Sequence, residues 1–329
     1  MFSAAAGGFI YGVPQSGPVG PAPTTLYGWF SGGLNQTPSV ITEYSTVNRI
    51  TYTTDTATAS TRGPLTSTTY GAAQAGTGYY GWIAGGGPGS RSTVQRIDYA
   101  LDTATASTRG PLSESNNYSM GAVTDNTTYG WYGGGFALWK STVQRITYAT
   151  DTATATIRGP LTQAKFELAG SSNTTYGWFG GGRAPSQTPA QVSTVDRITY
   201  ATDTATASVR GPLSILVEAI AAIGTVDYGW FGGGYVNGAG KTSIITRITY
   251  ATDTATSTNR GPLTITKSDM ATSGTDTYGW FGGGAQSGPA AGQNLSSVDR
   301  ITYSTDTATA TARGPLSISG FNMTGSGSS

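Results

Sequence analysis

Thirteen aspartates, four glutamates and fourteen arginines carry the ionic chemistry of this sequence, and most stand at fixed intervals rather than in clusters. Asp55, Asp102, Asp151, Asp203, Asp253 and Asp306 each open the phrase Asp-Thr-Ala-Thr. Seven residues after each comes Arg-Gly-Pro-Leu, at Arg62, Arg109, Arg158, Arg210, Arg260 and Arg313. A second arginine column, Arg49, Arg96, Arg145, Arg197, Arg247 and Arg300, sits beside Ile. Such columns could ring a pore or an anion site. Carboxylates could bind calcium or work as an acid–base pair, but the aspartates fall mainly in turn phrases and there are only four glutamates. The chain has no Cys and no His. That excludes a Ser-His-Asp triad, a Cys nucleophile, and the ligands of structural zinc and blue-copper sites. The Gly85-Gly-Gly87 run lacks the Gly-Lys-Ser/Thr that a phosphate loop requires. No cofactor and no metal are expected.

Charge excludes further classes. The net charge is +1, and 12 of the 14 arginines are spread over the two columns, so no basic patch is available for nucleic acid. No apolar run is long enough for a membrane-spanning helix. Met1 to Val13 has no Lys or Arg ahead of its apolar residues, which argues against a secretory signal. Asn-x-Ser/Thr at Asn126, Asn173 and Asn322 reads as coincidence in a Thr-rich chain.

The columns belong to a repeat. Tyr-Gly-Trp recurs at Tyr27, Tyr80, Tyr129, Tyr176, Tyr228 and Tyr278, at intervals of 53, 49, 47, 52 and 50 residues. Self-similarity at this period marks a repeat architecture. In residues 168 to 216, Tyr176 to Gly182 reads as a strand with Tyr176 and Trp178 on one face, ended by glycines. Val195 to Tyr200 is a second strand, and the Asp203 phrase is a hairpin in which Asp bonds its own backbone two residues on. Thr206 to Arg210 returns, stopped by Gly211-Pro212. Ile215 to Gly224 leads into the next repeat. Four short antiparallel strands in some 50 residues is one propeller blade.

The expectation is therefore an all-β, six-bladed propeller over residues 27–325, with an N-terminal apolar segment and Pro/Gly-rich arm at 1–26 and a flexible tail at 326–329. Ser317 to Gly325 aligns with first strands such as Ser268 to Gly274, so blade one is completed by residues near Phe321 and the ring closes. The Trp column (Trp29, Trp82, Trp131, Trp178, Trp230 and Trp280) is core, and the Asp and Arg columns solve a packing problem common to every blade. The arginine forks are expected to bond carbonyls or the hairpin Asp of the same or a neighbouring blade.

Each repeat resembles a kelch repeat: a Gly-Gly pair after an aromatic strand, then Tyr200-x-x-Asp203-x-x-Thr206, then Arg and Pro. It departs from that family in carrying Ala207 where a Trp usually stands. The phrase Val-Asp-Arg-Ile-Thr-Tyr, with Asp-Thr-Ala-Thr-Ala and Arg-Gly-Pro-Leu, is similar to repeats in structural proteins of tailed phages of marine cyanobacteria. That resemblance implies a virion component, on a tail fibre or the capsid exterior.

Alternating connections put the near-identical three-to-four turns on one face and the two-to-three loops and crossovers on the other. The latter differ from repeat to repeat, and recognition resides on loops held by a rigid scaffold. Trp139, the one Trp of seven outside the column, stands there with Phe136, Leu138 and Lys140. It either stacks on a sugar ring or anchors a protein partner, or it folds over the adjacent blade. Tyr235, Tyr44 and Arg183 are weaker candidates. The expected function is non-enzymatic: a virion propeller binding a host surface glycan or protein, or a neighbouring virion protein, with assembly through the N-terminal arm. The alternatives are a secreted or cell-surface bacterial lectin-like propeller and a carboxylate-based carbohydrate-active enzyme. Kelch-like oxidases need copper ligands of which this chain offers only Tyr.

Overall fold

The computed structural model describes residues 26–327, apart from 90, 116–118, 125–126, 137 and 287–292. Six four-stranded antiparallel sheets surround one axis. Blade 4 shows the unit: Ala169–Ser172, Tyr176–Gly180, Val195–Thr199 and Ser208–Arg210 run from the axis outward. Tyr176 pairs with Thr199 and Trp178 with Arg197, so Trp and Arg share one face of the sheet. The six first strands contact one another in a ring and line the axis.

Closure is made by the end of the chain. Thr324–Gly327 pairs with Tyr27–Ser31 as the first strand of blade 1, with Trp29 opposite Ser326. Phe321 lies just before this strand and bridges Leu34. Ser326 and Gly327, expected in a flexible tail at 326–329, belong to this strand, and 328–329 lie outside the described residues. Ser326 is buried in the sheet, where its hydroxyl accepts bonds from Tyr99 Oη at 2.6 Å and from Gln74 Nε2. The segment expected at 1–26 lies outside the described residues except Leu26, which packs partly buried against the core between blades 6 and 1.

Two expected elements differ in form. The hairpin begins with a 3₁₀ turn, Tyr200–Thr202 in blade 4, so the returning strand is Ser208–Arg210 rather than Thr206 to Arg210. The first strand of blade 5 is Ala221–Gly224, not Ile215 to Gly224. Ala219 takes a left-handed φ of 54°, which breaks any extended run through it.

The core lies between blades rather than within them. Trp178, Val195 and Leu213 of blade 4 pack on Phe231, Ile248 and Tyr250 of blade 5, and five further clusters repeat this around the ring. The six column tryptophans are at most 1% exposed. Burial of large aromatics supplies most of the inter-blade stabilisation. Close packing also fixes the Gly of each Arg-Gly-Pro. A Cβ on Gly211 would lie 2.0 Å from the Ala255 carbonyl oxygen of the next blade.

Candidate functional site

The repeat columns join blades. Trp178 Nε1 donates to Asp253 Oδ2 of the next blade at 2.8 Å. Arg197 reaches the same oxygen at 3.0 Å, and Arg210 Nε lies 3.6 Å from it. Tyr250 stacks on Trp178 with ring centroids 3.8 Å apart. Arg197 also covers the Tyr176 ring at 4.2 Å. The other five junctions repeat the pattern, ending with Trp280, Arg300 and Arg313 on Asp55. The hairpin aspartates therefore bond the preceding blade rather than their own backbone. Each carboxylate accepts hydrogen bonds from an indole and one guanidinium, with a second guanidinium completing the ion pair at 3.4–3.6 Å.

The face bearing the variable loops is different. Phe136 and Trp139 lie with centroids 5.4 Å apart, and both pack on Phe166 of the next crossover, at 4.9 and 4.8 Å. Trp139 thus does fold over its neighbour, yet it stays 39% exposed beside Leu138, which is 90% exposed. Both hold left-handed φ values, 51° and 56°. Phe166 bridges Arg183 through the backbone. Arg183 Nε lies 3.7 Å from Glu218 Oε2, and Glu218 bridges Tyr235. The chain of contacts brings Phe136, Trp139, Arg183 and Tyr235 into one arc across blades 3 to 5. Lys140 sits beside it, its Nζ 2.7 Å from Glu114 Oε2. Tyr44 lies apart, half-buried in blade 1, with its backbone tied to Gly33 and Thr69.

Inside the arc is the mouth of the axial channel. Gly71, Ser119, Glu167, Ala219, Asp269 and Asn322, one from each crossover, all hold φ between 54° and 73°. Each N–H donates to the carbonyl of the residue before it in the ring, at 2.6–2.9 Å, and Gly71 donates to Asn322. Six hydrogen bonds thus run head to tail around the axis. Below them is a cavity of about 120 Å³, lined by the first strands of all six blades.

Two carboxyls line this cavity, Glu167 and Asp269. Burial, then the nearby Asp269 and Glu218 charges, push the Glu167 carboxyl up to about 8, against a weaker pull from Arg183. Burial also raises Asp269, opposed by the bond from Ser268 Oγ at 2.6 Å and by Lys241. At neutral pH Glu167 accordingly keeps its proton and can donate a hydrogen bond as well as accept one. The sequence reading missed both residues, because their column reads Gly, Ser, Glu, Ala, Asp, Asn and shares no letter. Gly, Asp and Asn tolerate the left-handed region, and that was the one available signal.

Among the described residues no group of three or more carboxylates is placed to hold a metal ion, and no helix is long and apolar enough to cross a membrane. No family model matches the chain, and no curated protein matches it.

Proposed function

We propose that the chain is a non-enzymatic binding propeller on the exterior of a virion, which holds a host surface component or a neighbouring virion protein on its loop face. The observation that carries this is the contrast between the two faces. One face repeats the same hairpin six times, with its aspartates tied to the preceding blade. The other carries the Phe136–Trp139–Phe166 cluster, continued by Arg183, Glu218 and Tyr235. Exposed aromatics with a polar rim suit recognition, and loops on a stiff ring lose little freedom on binding. The virion setting is supported by the wording of the repeats.

Two measurements test the reading. Mass spectrometry and electron microscopy of purified particles should find the chain on the outside with its loop face accessible or in contact. Its absence from particles removes the virion part. Labelled propeller should bind host cells or partner protein, and Trp139→Ala should weaken that binding about tenfold or more, as expected of an aromatic hot spot. Binding untouched by Trp139→Ala and by Tyr235→Ala removes the loop-face part.

A further inference from the structure

We propose that the mouth of the axial channel on the loop face is a sugar subsite, which takes one terminal pyranose ring of a glycan. This deepens the reading of the loop face as a binding surface and rests on it.

Shape is the first argument. The cavity is about 120 Å³ and opens at the centre of the loop face. A protein cavity of about 150 Å³ encloses a benzene ring, so this smaller open space takes the edge of one six-membered ring, with the rest outside the mouth, and not a peptide segment. The closed ring of backbone hydrogen bonds fixes the rim before any ligand arrives. A preformed rim avoids the ordering cost that binding otherwise carries.

Chemistry is the second. The residues lining the mouth include Glu167, Asp269, Asn322 and Ser119, whose side chains end in carboxyl, carboxamide and hydroxyl groups, with the small Gly71 and Ala219 among them. Each sugar hydroxyl both donates and accepts, and this set offers both functions. Other ligand types fit less well. No Lys or Arg stands among the residues lining the cavity, so an anion finds no counter-charge there. A cation meets two resident cations, with Arg183 at Glu218 and Lys241 near Asp269. An uncharged, hydroxyl-rich ring meets neither objection.

Position is the third. Phe166, one residue from Glu167, packs against the exposed Trp139 ring. A glycan whose last ring enters the mouth can lay its next ring along this aromatic edge, where apolar sugar faces stack.

The test uses a glycan array bearing neutral, amino and acidic oligosaccharides. The strongest ligand is then titrated calorimetrically, with free D-glucose, D-galactose and D-mannose as competitors. The variants are Glu167→Ala and Asp269→Ala, singly and together. Ala219 already holds the same ring position at φ 54°, so alanine is compatible with the backbone there. A retained single cooperative thermal transition in each variant checks this. A neutral glycan should be retained, one monosaccharide should compete, and the double variant should lose at least tenfold in affinity. Retention of no glycan, or of amino or acidic glycans alone, overturns the proposal. A neutral glycan bound equally by the double variant, but lost with Trp139→Ala, overturns the mouth as its seat and leaves the loop-face reading standing.

Discussion

Trp280 Nε1 donates to Asp55 Oδ2 at 2.8 Å, joining residues 225 positions apart. Chemically it is the same bond that links Trp178 to Asp253, but it closes the circle, since blade 6 meets blade 1 there. The ring is held by six equivalent junctions, each with one carboxylate serving an indole and two guanidiniums. The Asp253 carboxylate is nearly buried, with its two arginines about four-fifths covered. Removing it takes the acceptor from the Trp178 indole and the counter-charge from both guanidiniums. Asp253→Ala is expected to cost about 3–5 kcal/mol, as for breaking a buried ion pair. Trp178→Ala should cost a similar ~3–5 kcal/mol by opening a cavity. Urea unfolding followed by fluorescence measures both, and a loss under about 1 kcal/mol for either contradicts the junction as described.

Removal of residues 324–329 should be worse than any point substitution. It deletes the strand that pairs with Tyr27–Ser31 and turns that strand into an open inner edge. The Tyr99 hydroxyl also loses Ser326. The truncated protein is expected to self-associate in size-exclusion chromatography with light scattering, and to lose its single cooperative transition. A synthetic peptide of residues 316–329 added in trans should restore the monomer. A truncated chain that stays monomeric and unfolds like the full chain contradicts closure by this strand.

Much of this was legible in the sequence, for one reason: whatever is common to every blade is written six times. Blade number, strand order, closure and the burial of Trp29 and its equivalents follow from that repetition. The partner of each Asp was half legible. Asp and Arg clearly belonged to one problem, but sequence spacing cannot distinguish a bond within a blade from one to the next. Local turn chemistry gave the wrong answer for Asp203, because Trp131 and Arg145 of the preceding blade capture its carboxylate. The arc from Trp139 to Tyr235 was invisible as an arc. Its members were found singly as odd residues in variable loops, and only the crossover residues Phe166 and Glu218 link them. The ring from Gly71 to Asn322 was hidden altogether, since its bonds are backbone bonds and its shared property is a torsion angle.

The Glu167 carboxyl makes stability depend on pH. Its folded value, about 8, lies above the unfolded one near 4.5. Between these values the unfolded chain gives up the proton while the folded chain keeps it, so the contribution is full below about pH 4.5 and fades as pH rises through about 8. Asp269, also raised, acts in the same direction, while Arg183 opposes the Glu167 shift and Lys241 that of Asp269. The urea midpoint of the wild type should fall from pH 5 to pH 8 relative to that of Glu167→Gln. Parallel profiles for the two proteins would show that Glu167 ionises as freely when folded as when unfolded.

Among the described residues, blades 4 and 6 each bury a Lys–Asp pair that has no counterpart in the other blades. Lys165 Nζ lies 2.9 Å from Asp196 Oδ2, and Lys267 Nζ lies 2.9 Å from Asp299 Oδ2, with all four side chains at most 1% exposed. Burial lowers both lysines, and each aspartate opposes the shift. In blade 5 the same two positions hold Val217 and Thr246, with Ser214 Oγ bonding Thr246 at 3.1 Å. The chain thus contains its own uncharged solution to the same packing problem. Lys165→Val alone leaves the Asp196 charge buried with only Thr162 donating to Oδ1, and should cost about 3–5 kcal/mol. The double variant Lys165→Val with Asp196→Thr copies blade 5 and should recover most of that loss, to within about 1 kcal/mol of wild type, since a buried pair replaced by well-packed neutral residues is often neutral overall. A double-mutant cycle by urea unfolding measures the coupling. Additive losses would mean that the two side chains do not act as a pair, and that the match between Lys in the crossover and Asp in the third strand has another cause.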